Sequence, residues 1–295
     1  AYTGRAKIGK FAGGWHGGFN DVHVGTKPPL NKPPSAGMPR AELKNTVLLP
    51  YNDLSGVRRK VRGERLACII IEPMLGQGCV AADRDFLQGL KELCERTGAL
   101  LIFDEIITGF RLARGGAQEY FGIEPDITTI GKIIGGGYPV GAIAGPSGIM
   151  DRMDPSKHPP SEIAYQGGTF CGNPVTMAAG LATLRILDDE GVYDRINDLG
   201  SRARRGISEA FEGRVVNVKG LGSTFYVHFR RGEVKDIEDV FSGDMEALWR
   251  YGLFLINHGI FGLPTHFHNI SYVHSDEDIA KLIEVTRLFS ETVKP

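Results

Sequence analysis

Unbroken apolar stretches organise the first two thirds of this chain. Leu66 to Ile71 runs without a polar residue and stops at Glu72-Pro73, and Ala99 to Phe103 does the same and stops at Asp104. Ile127 to Ile130, with two threonines inside it, and Val140 to Ala144 read as two further short strands. Runs of this length without alternation predict strands buried on both faces. Between the first two, Phe86, Leu87, Leu90, Leu93 and Cys94 recur at helical spacing, with Asp83 placed to cap the helix and Gly98 to close it. Buried strand, helix, buried strand implies right-handed parallel crossovers and an α/β fold. Ligands gather at the carboxyl ends of such strands, where Asp104 stands.

The pattern changes further along. Residues 25–40 and 154–168 are rich in proline and glycine and read as irregular loops, and Pro50-Tyr51-Asn52-Asp53 reads as a turn into a short helix. Pro174 to Glu190 reads as a long helix stopped by Gly191, followed by another from Val192 to about Phe211. Val215–Lys219 and Thr224–Phe229 alternate like strands about Gly220-Leu221-Gly222. Ser275-Asp276-Glu277-Asp278 resembles a capping box opening a helix that ends near Thr292. Strands and helices without βαβ alternation predict a smaller α+β domain. The expected division is a large domain over 1–190 and a small one over 191–295.

Composition removes several function classes. Hydrophobic content is 42%, charged content 23% and formal net charge −1, which gives no bulk electrostatic case for nucleic acid or an anionic membrane. No apolar run approaches the ~18 residues of a membrane span. The start, Ala1 to Lys7, is basic but lacks the apolar core of a signal peptide. Cys68, Cys79, Cys94 and Cys171 form no CxxC pair and read as free thiols of a reducing, cytoplasmic setting.

The chemistry centres on two residues. Asp104 ends a buried strand, where a carboxylate can hold a cation, bind backbone or an arginine, or ligate a metal. The same pattern marks the second acidic motif of P-loop ATPases, but the Gly-Lys pairs are followed by Phe11 and Ile133, without the glycine spacing or hydroxyl that motif needs. Lys132 follows another buried strand and precedes Ile133-Ile134-Gly135-Gly136-Gly137. A lysine in apolar surroundings has a lowered pKa and can serve as nucleophile and base. An amine and a strand-end carboxylate together are what pyridoxal phosphate (PLP) chemistry requires: one forms the imine, the other keeps the ring nitrogen protonated.

Other candidates read two ways. Trp15, before His16-Gly17, can stack on a flat ring or fill a core. Glu72 can orient polar groups at a site or be structural. Gly168-Thr169-Phe170-Cys171-Gly172-Asn173-Pro174 can hold phosphate with a hydroxyl and free amides, or simply cap the helix. His266, His268 and His274 are too loosely spaced, and too poorly accompanied, for a metal site. There is no G-x-S-x-G elbow and no G-x-G-x-x-G fingerprint in a strand-to-helix setting.

In chain order, Ala1-Tyr2-Thr3-Gly4-Arg5, Pro50-Tyr51-Asn52-Asp53-Leu54, Ile71-Glu72-Pro73-Met74, Phe103 to Arg111, Gly131 to Gly141 and Gly168 to Pro174 resemble the class III PLP-dependent aminotransferases of fold type I. The closer likeness is to the glutamate-1-semialdehyde aminomutase branch. The resemblance implies a mostly parallel central sheet with flanking helices and a homodimer with shared active sites. It implies Lys132 as the Schiff-base lysine, Asp104 as partner of the pyridine nitrogen and Trp15, beside His16, as the ring-stacking aromatic. It also implies Thr169 as a phosphate contact from the partner subunit and Glu72 as a supporting carboxylate. Amino donor and keto acceptor would be small molecules.

Two departures accompany it. The family's Gly-Ser/Thr phosphate loop lies upstream of the Tyr-Thr-Gly-Arg match, outside this sequence. Aminomutases carry an acidic residue near the position of His268, where this chain reads Pro264-Thr265-His266-Phe267-His268-Asn269. The second departure favours an ordinary aminotransferase acting on a β-amino acid or an amine over the aminomutase. The first leaves a cofactor-poor, non-catalytic relative as a third reading.

Overall fold

The computed structural model describes residues 1–39, 41–189 and 191–292. In chain order the elements are β1 (Lys7–Phe11), α1 (Asn20–His23), β2 (Thr46–Leu49), α2 (Leu54–Lys60), β3 (Leu66–Ile71), β4 (Met74–Leu75), β5 (Val80–Ala81), α3 (Arg84–Thr97), β6 (Leu100–Asp104), α4 (Gly116–Phe121), β7 (Ile127–Gly131) and β8 (Gly141–Ala144). There follow α5 (Ser147–Met150), α6 (Pro174–Leu187), α7 (Val192–Ala210), β9 (Asn217–Lys219), β10 (Thr224–His228), α8 (Ile237–Phe241), α9 (Met245–Asn257), β11 (His268–Asn269) and α10 (Asp276–Thr292). They form two compact units. The first comprises 1–26, 30–73 and 82–189; the second takes in 27–29 and 74–81 with the chain from 190 onward.

The first unit is built on a sheet of order β2-β1-β3-β6-β7-β8. The pairs β2-β1, β1-β3, β3-β6 and β6-β7 are parallel, and for β3, β6 and β7 the apolar runs predict it. β8 pairs with β7 antiparallel and, contrary to the burial its apolar run predicts, is exposed along its whole length. Only residues 132–140 join these two, too few for the dozen or so that a parallel crossover needs. Two strands go beyond the sequence reading: β1, whose apolar pattern Gly9 and Lys10 interrupt, and the short β2. The face of α3 is the one expected, with Phe86, Leu87, Leu90, Leu93 and Cys94 buried. Phe11 meets Phe86 and Tyr51 edge-on, with ring centroids 5.6 and 5.9 Å apart. Gly98 closes α3 at φ 67°, whereas Asp83 caps it by position only, without a side-chain hydrogen bond.

In the second unit, β9 and β11 flank β10 in an antiparallel sheet. Its core joins Ile207 and Phe211 of the α7 region, Tyr251 of α9 and Phe289 of α10 to Phe225 and Val227 of β10. The Tyr251 hydroxyl, fully enclosed, is 2.8 Å from Thr286 Oγ1. The capping box at Ser275 forms: Asp278 N–H donates to Ser275 Oγ at 3.2 Å and Ser275 N–H to Asp278 Oδ2 at 2.8 Å. Gly191 departs from its expected role. It adopts φ 89° as the N-cap of α7, while α6 ends earlier, at Leu187.

Candidate active site

Strand register assembles the site in the first unit. Ile71 of β3 pairs with Phe103 of β6, so one residue further on Glu72 lies alongside Asp104. Asp104 in turn pairs with Thr129 of β7, and Lys132 follows the end of that strand. Three residues distant in sequence thus share one edge of the sheet, the carboxyl ends of parallel strands.

Asp104 is held from two sides. Its Oδ1 accepts from the Ile106 amide at 3.1 Å, and its Oδ2 lies 2.7 Å from His16 Nδ1. A carboxylate only accepts, so Nδ1 carries the shared proton. The His16 and Asp104 side chains are 2% and 5% exposed. His16 Nε2 is also buried and has no hydrogen-bond partner among the described residues. Glu72, 4% exposed, accepts from the Trp15 amide at 2.6 Å, and its own carbonyl accepts from the Tyr51 hydroxyl at 2.9 Å. The two strand-end carboxylates therefore hold consecutive residues of the loop after β1. Trp15 itself is 51% exposed and meets His23 edge-on at 5.0 Å. It is no core tryptophan; half of its surface is open.

Lys132 starts a 3-10 turn over Lys132–Gly135 and adopts φ 47°. A side-chain-bearing residue in that region costs about 1–3 kcal/mol, a strain that concentrates at functional sites. The turn is held by glycine: a Cβ on Gly131 would lie 2.9 Å from Ile106 Cδ1 and 3.1 Å from the Val140 carbonyl oxygen. Lys132 has an open side and counts as exposed by surface, yet enough protein surrounds its amine to lower the pKa. Burial is the main cause, Glu72 and Asp104 pull the other way, and Arg111 adds to the lowering. The open side and the packed side are compatible: reagents can reach an amine whose charged form is disfavoured.

Thr169 lies exposed in the turn before α6. The Asn173 side chain accepts from Val175 N–H at 3.0 Å and Thr176 N–H at 3.3 Å, and Pro174 has no N–H. Within this chain the start of α6 is capped by Asn173. Arg114 pairs with Asp188 at 2.6 Å, and Arg111 Nε donates to the Ile107 carbonyl at 3.0 Å. In the second unit His268 stacks on Phe225 at 5.1 Å, and burial pushes it down to about 4, while His274 Nδ1 accepts from Ser271 N–H at 3.0 Å. Among the described residues no three His, Cys, Asp or Glu side chains are grouped to hold a metal. One buried charge beside the site escaped sequence reasoning. Lys10 of β1 is 0% exposed, and its only sequence signal is a lysine inside a strand that glycine already obscures.

An accessible amine with a lowered pKa, a fixed buried carboxylate and a half-open aromatic form a donor set that fits a flat, cationic aldehyde cofactor. Residues 1–286 match the model of the Aminotransferase class-III family, and the chain belongs to that family. It is 43% identical over 297 aligned residues to the glutamate-1-semialdehyde 2,1-aminomutase of Methanothrix thermoacetophila, covering 98% of this chain and 67% of that protein. It is 36% identical to a solved omega-transaminase from Sphaerobacter thermophilus, with a TM-score of 0.91 over 98% of this chain and 69% of that one. It is 32% identical to a transaminase solved with PLP bound, with a TM-score of 0.88 over 98% and 68%. The fold is that of PLP-dependent transferases of fold type I, and PLP is the cofactor of the family. The chain spans about two thirds of the length of the curated relatives it matches.

Proposed function

From this family membership we propose that the protein is a PLP-dependent aminotransferase, moving an amino group from an amino acid or amine to a keto acid or aldehyde. The observation that carries it is the strained Lys132, its amine pKa lowered by burial, beyond the strand next to the one that Asp104 ends. Bound there, PLP would supply an electron-accepting ring. Lys132 Nζ would attach the cofactor, then take the substrate's proton and return it; its lowered pKa leaves more of the amine free to do so. Asp104 would hold a proton on the ring nitrogen, and His16 Nδ1 and the Ile106 amide keep its carboxylate aimed. Trp15 would offer its open face to the ring and Glu72 would fix the Trp15 backbone. Thr169 would meet the phosphate from a second subunit. The exposed Phe170, Val175, Leu181 and Ile186, at 50–79%, support a homodimer, as a solvated face of that kind seldom stays bare. Substrates would be a small amino donor and a keto acceptor, and the free thiols of Cys68, Cys94 and Cys171 support a cytoplasmic setting.

The likeness to aminomutases favours a second reading, in which the amino group moves within one substrate. The stacked, neutral His268 in place of an acidic residue speaks against it. Supplied with glutamate 1-semialdehyde and, separately, with amine donors, the protein should release a keto or aldehyde product from the donors; formation of 5-aminolevulinate with no released carbonyl product would overturn the aminotransferase assignment. Supplied with PLP, wild type should show a visible absorption band that Lys132→Ala abolishes along with at least about 10²-fold of the turnover. Asp104→Asn should keep the band and lose most turnover. A protein that stays colourless with PLP would remove the catalytic proposal, and near-normal turnover in Asp104→Asn would remove that residue's role.

A further inference from the structure

The core of the second unit is open on one side. The rings of Phe211, Phe229 and Phe289 meet edge-on in pairs, with centroids 5.5, 6.2 and 6.2 Å apart. Phe211 and Phe289 are buried, but Phe229 and Val216 pack on the core and stay half-buried, and the neighbouring Val215 is 45% exposed. These five side chains line a cavity of 380 Å³ that lies wholly within the second unit. Small-molecule sites run from about 300 to 1,000 Å³ and combine apolar walls with a few polar groups. Water is a poor occupant of such walls, because each molecule needs two to four polar partners.

The charged part of the lining is exposed and comprises Arg214, Asp244, Glu246 and Arg250. Arg250 is matched by Glu246, four residues before it on α9. Asp244 is committed to the fold, its Oδ1 accepting from the Ala247 amide at 2.9 Å to cap that helix. Arg214 is the cation left over. Its Nη2 donates to the Ser290 carbonyl, which is a dipole and not a charge. Among the described residues it makes no other side-chain bond and no ion pair, so most of a guanidinium's five donors are unused.

We propose that this cavity binds a small arylalkyl carboxylate, with its ring against the three phenylalanines and its carboxylate on Arg214. A fourth aromatic ring extends the edge-on packing already present. A guanidinium takes a carboxylate through two parallel N–H bonds, the strongest match among simple head groups. A neutral ligand would leave the cation unanswered, and a cationic one would meet like charge. Lys132 and Asp104 belong to the first unit, and the binding needs neither them nor a cofactor, so it stands apart from the aminotransferase proposal.

The probe is 4-phenylbutyrate, titrated into protein with labelled alanine and valine methyl groups and followed by NMR. The Ala247, Val215 and Val216 signals should move and saturate, with a Kd of about 1 mM or tighter for a ligand of this size. The amine of the same body, 4-phenylbutylamine, should bind at least about tenfold more weakly, the worth of one charge-assisted hydrogen bond. Arg214→Met should weaken the carboxylate at least about tenfold without weakening the amine. Ala247→Phe, at a half-buried wall position, should fill the cavity and abolish the saturable shifts at Val215 and Val216. Wild-type protein whose three signals do not saturate overturns the site, as does saturable binding that survives Ala247→Phe. Equal or tighter binding of the amine overturns the carboxylate assignment, and that comparison needs no variant to fold.

Discussion

Gly180 is where helix α6 meets the turn that carries Lys132. A Cβ there would lie 2.2 Å from the Ile134 carbonyl oxygen. The reverse contact has the same form: a Cβ on Gly136, at φ 58°, would lie 2.5 Å from the Ala179 carbonyl oxygen. Both obstacles are backbone, which cannot swing aside as a side chain can. Gly180→Ala sets two effects against each other. Alanine gains about 1 kcal/mol in helix propensity. Overpacking costs about 1–3 kcal/mol, and opening the contact by on the order of 1 Å places this site at the upper end. A net loss of about 2 kcal/mol should lower Tm by roughly 4–8 °C for a unit of this size. The displaced turn bears the reactive amine, and a misplacement of about 1 Å costs on the order of 10²-fold in rate. Thermal unfolding by circular dichroism and kcat/KM for an amine donor read the two effects. Ala182→Gly, on the exposed side of the same helix, is the control for Tm alone: it should lose about 1 kcal/mol by propensity. A Gly180→Ala protein as stable and as active as wild type would refute the interlock.

Two further outcomes concern the second unit. His228, 3% exposed, donates from Nε2 to the Gly78 carbonyl at 2.8 Å, and burial lowers its pKa from 6.5 to about 4. The fold favours the neutral ring, so this stability is complete above 6.5 and is lost as pH falls through that value toward 4, by up to about 3 kcal/mol. His228→Gln keeps a donor without the titration and should flatten denaturant-unfolding stability over that window; an unchanged slope would show that the loss has another source. Ser275→Ala removes the acceptor of the Asp278 amide and should cost about 1 kcal/mol, read as a lower urea midpoint at constant m-value, with no change meaning that the box contributes nothing.

What was legible in the sequence follows from what each residue has to do. β3 and β6 are buried on both faces, so their apolar runs are continuous and end at the two carboxylates. β1 is equally buried but cannot look so. A Cβ on Gly9 would come within 3.0–3.1 Å of Leu49, Leu66 and Ile69, so tight packing demands a glycine there, and Lys10 beside it is a buried charge. α9 was readable and missed: Asp244 caps it through the Ala247 amide at 2.9 Å, ahead of buried Leu248, Tyr251, Gly252 and Leu255 at helical spacing. In the site, Asp104 and Lys132 stood out because strand ends mark them. The contact between His16 and Asp104 spans 88 residues and depends on β1 lying next but one to β6, which local pattern does not encode.

The neighbouring carboxylates Asp104 and Glu105 show how one strand end divides its work. Successive side chains leave a strand on opposite faces, so the pair cannot act together. Asp104 faces His16, and its oxygens accept from that ring and from one amide. Glu105, 1% exposed, turns inward and is saturated: it accepts from Ala117 N at 2.5 Å, Gln118 N at 3.2 Å, Gln118 Nε2 at 3.1 Å and Thr108 Oγ1 at 3.1 Å. A Cβ on Gly116, at φ 68°, would lie 2.2 Å from its Oε2, so the backbone closes tightly on that oxygen. Burial raises its pKa, opposed by those same donors. Glu105 therefore fixes residues 108–118 to the end of β6, and by fixing them holds the backbone after Asp104, including the Ile106 amide that aims the catalytic candidate. A sequence scan that weights both carboxylates of such a doublet equally would misassign one of them; the pleat decides which one can meet a cation.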